Sequence, residues 1–331
     1  MTALTTGIGT PRPAADSAAS DGRVTHNREG EPAYDIHWPW HRPQRPGLTA
    51  VLRVRNEAHN LPWVLPPLLE AVPHVVIVDN QSSDGTLETA QRIVADLGAS
   101  DRVTLTSYPF VVSRCGPEHL ATPADSVHSL THFYNWSFSH VTTTYAMKWD
   151  GDMVLTPEGV AAVRDLSWQL EGEEVMVLFP RLPLYIESES VGYLDASSRN
   201  MEPWIHPVGP AYTFVKGFDW EVWQHPDDME RLVMPLGTFV ELKWLDHDEF
   251  AHWTDPSAFT DNRSPRKVRE YHVHSTLRDG RADELDHVFR IEAPPGVHIV
   301  DHAARSWLPR HARGLPQPAR RGNGEGEGEE T

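Results

Sequence analysis

The chain has 331 residues, of which 39% are hydrophobic, and a formal net charge of −18 with histidines neutral. That length allows one large domain or two small ones, and so acidic a surface argues against nucleic acid as a partner, because it repels a phosphate backbone. A bound metal would still let it hold a phosphorylated ligand. The single cysteine, Cys115, permits no intramolecular disulfide and fits a reducing compartment. It is expected to be a small buried residue rather than a nucleophile. No apolar run approaches the ~20 residues needed to span a bilayer, and the first residues lack the apolar core of a secretory signal. The expectation is a cytoplasmic protein with no integral membrane segment.

In chain order, residues 1–46 are rich in Ala, Ser, Thr, Pro and charge and read as a mostly disordered extension, with Ile36–Trp40 able to lie on the body as an extended strap. A first half of the body then spans 47–160. Within it, 48–54, 74–79, 102–106 and 145–149 are β-rich runs, and 58–71, 86–97 and 124–139 suit helices. Strands alternating with helices predict a mostly parallel sheet flanked by helices, with ligands at the carboxyl ends of the strands. Residues 161–312 carry strand-like runs at 175–179 and 211–216, followed by many Trp, His and Pro residues, and read as a loop-rich half. Residues 313–331 end in alternating Gly and Glu and are expected to be a solvated tail.

The chemistry-bearing residues follow the strands. The first run ends in Val54-Arg55-Asn56-Glu57, the second in Asp79-Asn80-Gln81-Ser82-Ser83-Asp84-Gly85-Thr86, and the fourth is followed by Asp150-Gly151-Asp152. Two carboxylates at i and i+2 can reach one hard cation through oxygen, and a glycine between them lets the backbone approach a ligand closely. Such a cation stabilises a departing diphosphate as a Lewis acid. The plainer alternative is a solvated Asp-Gly-Asp turn. Asp79 can accept hydrogen bonds from an imide N–H or from ribose hydroxyls. Asp84 lies where a helix cap is needed, and Glu57 lies where a negative charge complements a helix dipole.

These three motifs, in this order, resemble the family 2 glycosyltransferases, which have the GT-A fold. The resemblance covers residues 48–160 well and the remainder loosely; it implies that 47–160 is the nucleotide-sugar-binding half and 161–312 the acceptor-binding and catalytic half of the same domain. It implies an α/β fold of Rossmann-like, GT-A type, and transfer of a sugar from a nucleoside-diphosphate sugar, UDP above all, to a hydroxyl or amine. The acceptor would be a small molecule or a carrier-bound one, and inversion is expected. It implies that Val54, Arg55, Asn56 and Glu57 cradle the nucleoside, that Asp79 contacts base or ribose, and that Asp150 and Gly151 face the donor. Asp150 and Asp152 would hold Mn²⁺ or Mg²⁺, with a late histidine as third ligand. His274, or else His272, is the candidate, because 270–274 alternates like a strand. Imidazole suits Mn²⁺ better than Mg²⁺. Where the family often has Ala-Arg-Asn before Asp-x-Asp, this chain reads Phe133-Tyr134-Asn135, so Arg114 is the candidate substitute. A general base on the acceptor is expected within Trp244–Phe250, with Asp248 first, Asp246 second and Glu249 the remaining acid. The competing enzyme class, a nucleotidyltransferase acting on a sugar phosphate, typically has a Gly-rich basic loop after its first strand, whereas this chain has Arg55-Asn56-Glu57-Ala58. A non-catalytic nucleotide-sugar-binding protein is disfavoured by the intact aspartate pair.

Overall fold

The structure, a computed structural model, describes residues 22–170, 172–197, 200–247, 250 and 265–316. In chain order the elements are β1 (Val24–Thr25), β2 (Ile36–His37), β3 (Arg45–Val54), α1 (Leu61–Ala71), β4 (His74–Asp79), α2 (Thr86–Asp96), β5 (Val103–Ser107), α3 (Pro117–Ala121) and α4 (Leu130–Phe138). There follow β6 (Thr143–Asp150), β7 (Met153–Leu155), α5 (Pro157–Gln169), β8 (Val175–Pro180), β9 (Pro183–Ile186), β10 (Val191–Asp195), β11 (Met201–Pro207), β12 (Phe214–Lys216), β13 (Glu221–Trp223), β14 (Glu230–Val233) and β15 (Phe239–Trp244). The chain closes with α6 (Pro265–Arg278), β16 (Val288–Glu292), α7 (Ile299–His302) and α8 (Leu308–His311), the last two joined by a π-helical turn, Ala303–Trp307.

The central sheet has seven strands in the order β14-β8-β11-β6-β3-β4-β5. The pairs β6–β3, β3–β4, β4–β5 and β14–β8 are parallel, while β11 runs against both of its neighbours. β3 reads as a nearly unbroken apolar run because helices cover both of its faces. Leu48, Ala50, Leu52 and Val54 pack with Leu61, Val64, Leu65 and Leu68 of α1 and Val163 of α5. Val51, Val76 and Val78 pack on the other face with Phe133 and Trp136 of α4. The α/β fold with a mostly parallel sheet is therefore as expected. No helix among the described residues is long and apolar enough to cross a membrane.

Several local expectations are corrected. Residues 22–46, expected to be mostly disordered, are folded: β1 pairs with β2, Asp35 accepts from the Asn27 backbone N–H at 2.9 Å and from its side-chain amide at 2.8 Å, and Glu29 accepts from the Ser126 hydroxyl at 2.6 Å and the Val127 N–H at 2.9 Å. Ile36 enters the core beside α4, and Trp38 stacks on Trp40 at 4.6 Å. Polar side chains anchor this segment, and hydrophobic periodicity is blind to them. The helix predicted over 124–139 starts only at Leu130, because Ser129 takes the cap position and accepts from the His132 N–H. The strand predicted over 211–216 is reduced to β12, hairpinned with β13. The second half, expected to be loop-rich, supplies four strands of a five-stranded sheet in the order β16-β10-β9-β15-β7, with β7 coming from the first half; its strands are too short to show a clear period. The strand predicted around 270–274 lies inside α6, where Glu270, Val273, His274 and Leu277 form the buried face at helical spacing while His272 is exposed.

One buried imidazole sets an acid limit on the fold. His206 of β11 is 2% exposed, lies against Phe138 and Trp223, and its Nδ1 donates to the Pro207 carbonyl at 2.9 Å. Burial pushes its pKa down to about 4. The unfolded chain binds a proton on this ring near pH ~6.5, so between those values the unfolded state holds more protons and stability falls as pH drops. Urea unfolding of the parent and of His206→Phe at pH 7 and pH 4.5 should show the parent losing more, by about 2–3 kcal/mol. Equal losses in the two proteins would mean that His206 is already charged in the folded state.

Candidate active site

The order of the parallel strands creates a crevice. From β3 the chain steps to β4 and then β5 on one side, while β6 lies on the other side of β3. The switch point of the sheet therefore falls between β3 and β6, where the loops after the two strands diverge and leave room for a ligand. The strand ends are level: Val54 is in register with Asp79, and Arg53 with Asp150. The residues expected at three separate strand ends are thus brought to one edge.

The loop after β3 is clipped to the loop after β4. Asn56 has φ 59°, a left-handed conformation that asparagine tolerates. Its N–H donates to the Ser82 hydroxyl at 2.9 Å and its side-chain oxygen accepts from the Ser83 N–H at 2.8 Å. The Glu57 N–H donates to the Thr86 hydroxyl at 2.8 Å, and the Ala58 N–H donates to Asp84 at 3.0 Å. Burial raises the Asp84 pKa, but the bonds from Thr86 and Ala58 outweigh it and hold the carboxyl below its usual range. Asp84 is thus spent on this clip, and Gly85 supplies the left-handed turn, φ +87°, that opens α2.

Asp79 is 6% exposed. Its Oδ2 accepts from the Ser82 N–H at 3.3 Å, while Oδ1 is enclosed and has no hydrogen-bond partner. A buried carboxylate oxygen without a donor is costly, and a ligand donor would satisfy it.

The turn Asp150-Gly151-Asp152 is braced from three directions. The Trp149 indole N–H donates across it to the Met153 carbonyl at 2.9 Å, and the Leu242 N–H donates to the Asp152 carbonyl at 2.8 Å. Over the turn lies Glu57: a Cβ added to Gly151 would meet the Glu57 Cγ at 2.6 Å. Both aspartates rest on buried cations. Arg53, stacked 3.6 Å from the Tyr134 ring centroid, donates to Asp150 Oδ1 at 3.0 Å. Lys243 donates to Asp152 Oδ2 at 2.7 Å and lies 2.8 Å from Glu241. Glu241 is gripped by both arms of Arg181, which also donates to Glu202 at 2.9 Å. Burial raises the Asp152 pKa despite Lys243, with Glu241 and Asp150 adding to the rise. In Glu241, Arg181 and Lys243 outweigh burial and hold the carboxyl low.

These residues fit a divalent cation of the kind completed by substrate. Asp150 keeps Oδ2 and Asp152 keeps Oδ1, one hard oxygen each, and side-chain exposures of 34% and 18% leave them reachable. Among the described residues no group of three or more His, Cys, Asp or Glu side chains is assembled for a metal. Such a pair therefore suits an ion that takes one or two carboxylates plus phosphate oxygens and waters. His274 is not joined to the aspartates in such a group. It is 3% exposed and its Nε2 faces the Trp244 carbonyl at 3.3 Å.

The remaining expected residues fall as follows. Arg55 is half-buried directly after β3. Arg114 is tied to Glu118, one turn on, with Nε to Oε1 at 2.8 Å, so its guanidinium is committed to a local pair. Cys115 is buried, and burial pushes its thiol up. Asp246 sits after β15 with its side chain 75% exposed beside His247. Asp248 and Glu249 lie outside the described residues. Residues missing from the sequence reading are Arg53, Lys243, Glu241 and Arg181. The available signal was a charged residue inside an otherwise apolar strand, as in Leu52-Arg53-Val54 and Leu242-Lys243-Trp244.

The fold and site define an α/β protein whose strand ends, at a topological switch point, carry two cation-backed aspartates. No protein-family model and no curated protein matches the sequence. Among solved structures the chain is similar to a mannosyltransferase from Pyrobaculum calidifontis in complex with GDP-Man and Mn²⁺, at 15% identity and a TM-score of 0.39, over 79% of this chain and 70% of that one. It is similar to TarS from S. aureus at 14% identity and a TM-score of 0.33, over 49% of this chain, and spans about half of that one, 47%. A glucosyl-3-phosphoglycerate synthase from Mycobacterium tuberculosis, bound to Mn²⁺, UDP and glucosyl-3-phosphoglycerate, matches at 16% identity and a TM-score of 0.26, over 43% of this chain and 44% of that one. The chemistry of the site rests on this chain's own residues.

The contact between Glu57 and Gly151 is directly testable. Gly151→Ala should destabilise the fold by about 1–3 kcal/mol through overpacking, and most of that cost should vanish in a Glu57→Ala background, measured by urea unfolding. The same cost in both backgrounds would show that Glu57 does not lie on this turn.

Proposed function

We propose that this protein is a metal-dependent glycosyltransferase of the family 2 type, moving a sugar from a nucleoside-diphosphate sugar to a hydroxyl or amine. The observation that carries the reading is the convergence, at one switch-point crevice, of a clipped Asn56–Glu57 loop, an enclosed Asp79 oxygen without a donor, and the Asp150/Asp152 pair. Asp79 suits the base or ribose, as an acceptor of N–H or O–H. Asp150 and Asp152 would hold Mn²⁺ or Mg²⁺, which supplies charge neutralisation for the departing diphosphate. UDP is the nucleotide proposed, and a cytoplasmic location is part of the same reading.

The chain's own residues have definable tasks. Val54, Arg55, Asn56 and Glu57 shape the nucleoside side of the crevice, and Gly151 lets the backbone come close. Arg53 and Lys243 hold the aspartates apart and aimed. The base that takes the proton from the acceptor belongs to Trp244–Phe250, with Asp248 the first choice and the exposed Asp246 the second. Inversion follows if that base lies opposite the leaving diphosphate.

Labelled UDP-sugars with Mn²⁺, scored for UDP release with and without acceptor, test this reading. Asp150→Asn and Asp152→Asn should each abolish release while the fold survives. Full activity of either variant in chelator-treated buffer would refute the metal role. Asp248→Asn should lower turnover by about 10²–10⁴, the usual contribution of a positioned base, with nucleotide affinity retained. Normal turnover in the Asp246, Asp248 and Glu249 variants would place the base elsewhere.

A further inference from the structure

A groove of about 600 Å³ runs along the outer side of α1, walled by α5 and the α7 segment. Its volume is within the roughly 300–1,000 Å³ usual for small-molecule sites. Trp63, Pro66 and Pro67 of α1 form an apolar side, and Ala161, Arg164 and Arg305 lie among the residues opposite. Two of its three cations are matched by acids of the groove. Arg164 pairs with Glu70 at 2.7 Å, Arg305 with Asp301 at 3.2 Å, and Arg102 donates to the Leu69 carbonyl at 2.9 Å. Each guanidinium has five N–H donors, so donors remain while two of the three charges are answered. That combination favours a hydroxyl-rich ligand without net charge. A phosphorylated chain would also meet the repulsion of a protein at −18.

Trp63 belongs both to this groove and to a row of rings that leads to the crevice. It stacks on His298 at 4.5 Å and lies 6.0 Å from Trp244; Trp244 lies 5.3 Å from His59, which stacks on His247 at 5.0 Å. The Trp244 indole N–H donates to Asn60 at 2.8 Å, and Asn60 in turn donates to Glu57 at 2.7 Å, the residue lying over Gly151. His59 Nε2 is enclosed and has no partner. Flat apolar ring faces with polar rims match the C–H faces and hydroxyl edges of pyranoses.

We propose that the groove beside α1 is the track for an extended neutral oligosaccharide, the acceptor of the reaction, which passes Trp63 and Trp244 to reach the crevice. The proposal rests on the glycosyltransferase reading, and the experiment separates the two. The full chain is titrated with cellohexaose, maltohexaose, mannohexaose and chitohexaose by calorimetry, and separately with UDP plus Mn²⁺. At least one hexasaccharide should bind. Trp63→Ala should weaken it about tenfold, the size of one lost stacking contact. Ala161→Trp, which fills the groove from an exposed position outside the core, should abolish it. UDP affinity should be unchanged in both variants. If UDP binds and no hexasaccharide does, or if neither substitution affects a hexasaccharide that binds, the groove proposal is overturned and the donor reading stands. If neither UDP nor any hexasaccharide binds, both fall.

Discussion

Two ionised carboxylates two residues apart repel each other, and in this chain the repulsion is contained from below. Arg53 stands under Asp150 and Lys243 under Asp152, each at hydrogen-bond distance and each almost wholly enclosed. The cations are the enclosed members, while the aspartates reach the surface at 34% and 18% exposure, so the charge of each carboxylate is answered from beneath and its outer oxygen stays open to a ligand. The arrangement extends downward through Glu241, Arg181 and Glu202, so the turn carrying the aspartates is fixed to both sheets at once. Asp150 ends a strand of the central sheet, and Lys243 lies on β15 of the second. The geometry of the crevice therefore depends on the two sheets keeping their relative position.

The same logic explains why the upper loops are clipped to one another. A ligand held at a switch point meets backbone from two diverging connections, and loops that moved independently would lose the register of their donors. Here the bonds from Asn56, Glu57 and Ala58 to Ser82, Thr86 and Asp84 make the two loops one unit. Preorganised groups of this kind need little rearrangement when charge develops in a reaction. The aromatic row from His59 to Trp63 continues that unit outward, so a molecule approaching along α1 would meet a surface anchored to the loops after β3 and β4.

The strand ends were legible in the sequence because buried parallel strands leave apolar runs, and polar residues just after them stand out. The cations beneath them were not legible. Arg53 finds Asp150 97 residues away, and Lys243 finds Asp152 91 residues away, so neither pairing leaves a local pattern. His272-Val273-His274 illustrates the opposite failure. Its alternation fits a strand, but the wider spacing of Glu270, Val273, His274 and Leu277 is helical, and the longer pattern decides. Residues 22–46 misled for a third reason: Asp35 accepts from Asn27 within the segment and Glu29 accepts from Ser126 and Val127 of the body, so polar side chains as well as apolar burial order it.

Crystals grown with UDP or GDP and Mn²⁺ test the crevice most directly. The diphosphate should lie between the ends of β3 and β6, with the metal on Asp150 Oδ2 and Asp152 Oδ1 and the nucleoside within hydrogen-bond distance of Asp79. Nucleotide bound elsewhere, or Mn²⁺ coordinated without either aspartate, would contradict the role assigned to the crevice.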